Sequence, residues 1–281
     1  MEEVINGILI REVETKNIMT KSSLPVGGYS VNPYVGCTHA CKYCYASFMK
    51  RFTGHKEEWG TFLDVKHWPE IKNPKKYAGQ RVVIGSVTDG YNPQEEQFGN
   101  TRKLLEQLIG SDADILICTK SDLVVRDIDL LKKHGRVTVS WSINTLDENF
   151  KNDMDSASSI ERRIAAMKQV YEAGIRTVCF VSPVFPGITD FEAIFERVKD
   201  QCDLFWLENL NLRGGFKKTI MDYIAGQYPD LVPLYDEIYN KHNRSYFEAL
   251  EVKAEKMAKK YDCAFVDNEM PYGRVPQGHP V

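Results

Sequence analysis

Short apolar, β-branched runs recur along this chain with room for about one helix between neighbours, and that rhythm constrains the fold more than any other feature. Residues 81–85, 114–118, 137–141, 177–181 and 204–207 are each short enough to be a buried strand, and 30–35 reads as another ahead of them. The segments between carry helical patterns with recognisable ends. Ser158 followed by Glu161 is a capping-box spacing, Ile160, Ile164, Met167 and Tyr171 fall on one face, and Gly174 ends the helix. Residues 100–108, and 190–198 with Phe191, Ile194, Phe195 and Val198 on one stripe, have the same character, and 41–52 suits a helix after the first run.

Strand–helix alternation of this kind implies right-handed βαβ units and a parallel sheet covered by helices. Six units suit an α/β partial (β/α)6 TIM-like barrel. Residues 229–261, polar and rich in Lys, Glu and Tyr, give a mostly helical C-terminal extension that covers the barrel or touches substrate. The expected division is a polar leader at 1–29, a core barrel at 30–228 and the extension at 229–281.

Composition narrows the class. With 43% hydrophobic and 27% charged residues the chain can bury a sizeable core, as a soluble enzyme does. A net charge of −3 supplies no global field for a polyanion, so any nucleic-acid site must be local. The acidic N-terminus is unlike a signal peptide, and no run approaches the ~20 apolar residues of a membrane span, so the expected location is cytoplasmic, with no membrane partner.

The chain holds 7 cysteines, an odd number, and three of them crowd into one loop, which points to metal rather than to a disulfide framework. Cys37, Cys41 and Cys44 form Cys-x3-Cys-x2-Cys, with a strand leading in and Tyr43 before the last cysteine. Three thiolates can hold three irons of a [4Fe–4S] cubane and leave the fourth open, and they are one too few for closed structural zinc. The competing readings are zinc completed by His39 or His55, an electron-transfer cluster completed by a distant fourth cysteine, and buried structural thiols.

At these residues the sequence resembles the spore photoproduct lyase branch of the radical S-adenosylmethionine (SAM) superfamily, and more closely its relatives of the DNA repair photolyase-like or radical SAM mobile pair type. Further motifs in the same order carry the resemblance: Gly85-Ser86-Val87-Thr88-Asp89 leading to Tyr91, Pro93 and Glu95; Thr119-Lys120-Ser121 with Arg126-Asp127; Trp141-Ser142 with Asn144; and Ser158-Ser159 with Arg163. The resemblance implies a SAM cofactor on the open iron, reductive cleavage to a 5′-deoxyadenosyl radical and hydrogen abstraction from a substrate. It implies that Thr88, Lys120 and Ser142 contact SAM, that Ser182 lies near the adenine, and that Tyr45 takes part in radical relay. Tyr43 is the further cofactor-binding candidate, since a tyrosine can stack on a base. A low-potential electron donor of flavodoxin or ferredoxin type is the implied partner. The substrate class stays open between nucleic acid and a peptide or protein, and a non-catalytic iron–sulfur protein is the competing function.

The sequence departs from the lyase at Ser86, where the hydrogen-donor cysteine falls; a hydroxyl holds its hydrogen too strongly to quench a carbon radical readily. Of the other cysteines, Cys179, Cys202 and Cys263 read as structural thiols. Cys118 falls on the strand face of Lys120, ~7 Å deeper. Lys42, Lys50, Arg51 and Lys56, interleaved with Phe48, Phe52 and Trp59, form a basic, aromatic stretch after the cysteines.

Overall fold

A computed structural model describes residues 2–22, 28–212, 214–261 and 265–266. Its strands are β1 (Glu2–Ile5), β2 (Ile8–Glu14), β3 (Thr20–Lys21), β4 (Tyr29–Val31), β5 (Tyr34–Val35), β6 (Phe62–His67), β7 (Arg81–Ile84), β8 (Asp114–Thr119), β9 (Arg136–Ser142), β10 (Arg176–Val184), β11 (Leu204–Asn209) and β12 (Phe265–Val266). Its α-helices are α1 (Glu95–Phe98), α2 (Asn100–Gln107), α3 (Ile128–Leu131), α4 (Glu148–Met154), α5 (Ile160–Glu172), α6 (Phe191–Val198), α7 (Phe216–Gln227), α8 (Val232–Tyr239) and α9 (Ser245–Tyr261).

The strands β4, β7, β8, β9, β10 and β11 lie side by side in chain order, every neighbouring pair parallel. This is the partial (β/α)6 barrel expected from the alternating runs. β3 closes one edge antiparallel to β4, and β12 adds to β11 on the other.

Alternation along each strand sorts side chains into two environments. Ile115, Ile117, Val139, Trp141, Cys179, Val181, Phe205 and Leu207 pack with Ile160, Ile164, Met167, Ile194 and Phe195 in the helix-facing core. The residues between them face inward: Leu116, Cys118 and then Lys120 from β8, Ser140 and Ser142 from β9, Phe180 and Ser182 from β10, Trp206 and Glu208 from β11. The deeper inner positions Leu116 and Val178 are apolar and buried, and polarity rises toward the C-terminal strand ends. A ligand therefore finds its partners at the rim, as in other parallel α/β folds.

Several sequence expectations shift. The cap of α5 is Ser159, whose Oγ accepts from Arg162 N at 3.3 Å, while the Ser158 hydroxyl donates to Asp122 at 2.6 Å. Glu148, from α4, takes the N–H groups of Ile160 and Glu161 that a capping box would have left to other partners. Val170 rather than Tyr171 completes the buried face; Tyr171 is 39% exposed. Residues 41–52 do not form one helix. Cys44 N donates to Cys41 O and Ala40 N to Cys37 O, so the cysteine segment is a chain of turns, and a 3₁₀ helix begins only at Tyr45 (Tyr45–Phe52).

The polar N-terminus is not structureless. β1 and β2 join β6 and β5 in a second, four-stranded sheet whose small core is Ile10, Tyr34, Leu63 and Val65. Arg11 binds Asp64 with two bonds of 3.0 Å, so charged residues that break the apolar pattern of β6 are paired. In the C-terminal region α7 and α8 place Ile220, Ile224 and Tyr235 in a cluster with Tyr43, Phe150 and Phe185 beside the cysteine loop. α9 buries Phe247, Leu250, Ala254 and Met257 in the helix-facing core. No helix among the described residues is long and apolar enough to cross a membrane.

Candidate functional site

The loop carrying Cys37, Cys41 and Cys44 follows β4 and β5 and is clamped to the far side of the barrel. Lys42 N donates to Met154 O at 2.9 Å and Ser156 N to His39 O at 2.7 Å, both to the connection between α4 and α5. Gly36, at φ +86°, has no room for a side chain: a Cβ there would lie 2.4 Å from Phe62 O.

Asp89 is the second anchor. It accepts from His39 Nε2 at 3.0 Å, Thr119 Oγ1 at 2.8 Å, Lys120 N at 2.7 Å and Tyr91 N at 2.8 Å. One buried carboxylate thus ties the cysteine loop, the loop after β7 and the end of β8. Burial works against its charge, but the His39 ring and the surrounding N–H donors win and hold its carboxyl down at about 2.

Asp155 is the third. Arg163, fully buried, gives Nη2 to Asp155 at 2.7 Å, Nη1 to Ser142 O at 3.0 Å and Nε to Ser158 O at 2.8 Å. Tyr43 Oη donates to the other Asp155 oxygen at 3.2 Å. Burial disfavours the ionised Asp155, and Arg163, Lys120 and Lys151 nevertheless keep its carboxyl below the usual range. Arg163 and Asp155 thereby couple the end of β9 to Tyr43, the residue before the last cysteine.

Lys120 sits between these anchors with Nζ 5.7 Å from the Tyr43 ring centroid, within cation–π reach. Burial opposes its charge, yet Asp155, Asp89 and, in its thiolate form, Cys41 hold it above its ordinary value, so it is an ammonium at neutral pH. Burial raises all three thiols, Cys37 to about 12, with the Asp89 charge adding to the effect there. For Cys41 and Cys44 the Lys120 charge acts the other way and favours thiolate, the form a metal needs.

The remaining candidates are placed as follows. Thr88 gives its hydroxyl to Gly36 O, and Ser182 gives its own to Glu208. Tyr45, 54% exposed, donates to Ser86 O at the end of β7. Ser142 ends β9, one residue past Trp141, which pairs in register with Thr119. Ser86 is buried and bonded to Ser30 and to Asn32 Nδ2, the latter at 3.1 Å. Cys118 is half-buried on the inner face and pairs in register with Ser140; burial first, then Asp89, pushes its thiol up to about 12. Cys179 is enclosed in the helix-facing core, Cys202 is half-buried, and Cys263 lies outside the described residues. The anchoring roles of Asp89, Asp155 and Arg163 were not legible, although Asp89 and Arg163 stand inside the motifs that carried the resemblance. Glu208 gave no signal; burial raises its carboxyl against the opposing pull of Ser182 and Lys120.

The residues fit an iron–sulfur cluster. One loop offers three free thiols, and a cubane takes each thiolate on a different iron. The Trp59 indole N–H is buried without a hydrogen-bond partner of normal geometry, and its influence falls on Cys44, whose thiolate it favours. SAM fits as well: Ser140 Oγ and Asn144 Nδ2, on and just beyond β9, are buried with no partner.

Residues 31–198 match the Radical SAM superfamily. An uncharacterised protein of Methanocaldococcus jannaschii is 36% identical over 236 residues, covering 83% of this chain and 88% of that protein. A radical SAM Nalpha-GlyT isomerase of Pseudomonas phage M6 is 27% identical over 180 residues, covering 62% of this chain and 36% of that protein. Spore photoproduct lyase, in a structure with bound AdoMet and dinucleoside spore photoproduct, has the same fold, with a TM-score of 0.59 at 19% identity over 78% of this chain. The match spans 66% of the lyase, just under two thirds of its length. The chain belongs to the radical SAM superfamily, whose cofactors are a [4Fe–4S] cluster and S-adenosylmethionine.

Proposed function

We propose that this enzyme uses SAM as an oxidant of a C–H bond, abstracting hydrogen from a substrate bound at the open rim of the barrel. The observation that carries the reading is the placement of Lys120, an ammonium on the inner face, over the Tyr43 ring and between Asp89 and Asp155. When bound, the reduced cluster and SAM supply a 5′-deoxyadenosyl radical. Cys37, Cys41 and Cys44 hold the cluster, and Trp59 donates toward the Cys44 sulfur. Lys120 takes the SAM carboxylate, by a charge-assisted hydrogen bond that the neighbouring acids orient. Ser142 offers its hydroxyl to the ribose or carboxylate, and Arg163 fixes its backbone. Thr88 acts by holding Gly36 in the cysteine loop, and Ser182, bonded to Glu208, lies on the adenine side. Tyr45, hydrogen-bonded at the mouth, is positioned for relay to substrate. Tyr43, Phe185 and the α7–α8 cluster exclude water from one side.

The substrate is a nucleic acid or a peptide, and the electron comes from a flavodoxin- or ferredoxin-type donor. Support for nucleic acid comes from the dinucleoside spore photoproduct bound by spore photoproduct lyase. Anaerobic reconstitution with iron and sulfide, followed by SAM and a low-potential reductant, should release 5′-deoxyadenosine. A redox-active cluster that neither binds nor cleaves SAM would overturn the proposal in favour of an electron-transfer protein.

A further inference from the structure

The basic, aromatic stretch after the cysteines divides in the folded chain. Trp59 turns inward, edge-on to Phe62 at 5.8 Å, and Lys42 lies 5.8 Å from the Tyr223 ring on the side of α7. What remains outward is the 3₁₀ helix Tyr45–Phe52. Only Ala46 of its residues is buried, while Tyr45, Phe48 and Phe52 are 54%, 45% and 66% exposed. Large rings left in water at such density on one short element need a use.

The charge of this element is cationic and sits at its far end. Lys50 and Arg51 close its last turn and no acid opens it. The Arg51 guanidinium lies 4.6 Å from the Phe52 centroid and 5.5 Å from that of Phe48, which makes a ring–guanidinium–ring surface. Lys50 is fixed by a 3.0 Å bond to Lys56 O. Of the acids that follow, Glu57 is engaged with His55 at 3.1 Å. The row begins at the barrel mouth, where the Tyr45 hydroxyl donates to Ser86 O, and runs outward from it.

We propose that this face docks single-stranded nucleic acid and leads one nucleotide to the barrel mouth, which deepens, and rests on, the radical chemistry proposed above. Flat apolar faces stack on bases of any sequence, and the interleaved cations meet the phosphates. At a 3₁₀ rise the element is roughly 14 Å long. That matches about four nucleotides where their bases stay stacked at the duplex rise of about 3.4 Å per strand.

The test is fluorescence anisotropy of labelled oligothymidylates of increasing length, and of a duplex, on the full chain with its cluster reconstituted. Affinity should rise with length, level off near about four nucleotides, favour single strand over duplex, and fall as salt is added. The double variant Phe48→Ala/Phe52→Ala should weaken single-strand binding about tenfold or more. Arg51→Gln should weaken it and flatten the salt dependence. Both variants alter exposed side chains and should keep the cluster absorbance and the SAM affinity of wild type. Equal binding of duplex and single strand with no effect of the phenylalanine changes would overturn the proposal. So would variants that slow cluster reduction by a flavodoxin-type donor while leaving oligonucleotide binding untouched, since the face would then dock an acidic electron carrier. Single-strand binding that behaves as described in a protein releasing no 5′-deoxyadenosine would sink the radical chemistry and spare the docking face; the reverse pattern would do the opposite.

Discussion

Replacing Asp89 by Asn keeps the size of the side chain and removes its charge, and the consequence can be worked out from the site. Asp89 accepts from four donors on three separate segments, and its carboxyl is held at about 2 instead of 3.8. At 1.36 kcal/mol per pKa unit that depression corresponds to about 2.5 kcal/mol of folding stability at neutral pH. The sign is that of a lowered acid. The contribution is complete above the unfolded value near 3.8 and is lost as pH falls through the folded value near 2. Asp89→Asn also turns an amide N–H toward groups that are themselves donors, so about 2 to 3 kcal/mol should be lost at pH 7. Urea denaturation followed by tryptophan fluorescence reads this, since Trp141 is fully buried in the core. The variant should unfold at lower urea at neutral pH, and the gap to wild type should narrow as the solution is taken below the unfolded value. A variant within about 0.5 kcal/mol of wild type at pH 7, or a gap that widens in acid, would refute the reasoning.

Alanine at Cys37, Cys41 or Cys44 should abolish the [4Fe–4S] absorbance of the reconstituted protein, whereas Cys202→Ala should leave it intact; a full cluster in Cys41→Ala would refute the ligand set. Lys120→Ala should weaken SAM binding by about 1.5–3 kcal/mol in a titration while iron content persists. Arg163→Leu strips a buried carboxylate and two carbonyls of their donor and should cost about 3–5 kcal/mol of stability. Arg163→Lys, which keeps the charge but not the fork, should recover only part of it, as urea midpoints will show.

Much of this architecture is legible in the sequence because buried parallel strands are written as contiguous β-branched runs. The barrel strands fall within a few residues of those runs, and the three cysteines announce themselves by spacing alone. What stayed hidden depends on partners far away in the chain. Asp64 and Lys66 interrupt the pattern of β6 because they are satisfied by Arg11 and by Asn32 O, and neither pairing has a local signature. The same holds at the site, where Tyr43 meets Asp155 across 112 residues. The start of the helix after the cysteines was misplaced for a different reason. Its early residues belong to turns that aim thiols, and a helical period cannot reveal that.

Among the described residues the sheet is a linear array from β3 to β12, with no ladder joining its two ends. A closed eight-stranded barrel fills its interior with side chains and offers ligands its C-terminal rim. An unclosed one leaves that rim open on one side, so a long substrate can lie across the mouth and present one internal residue to the inner face while the rest continues past in both directions, and catalysis there requires neither a cut nor a terminus.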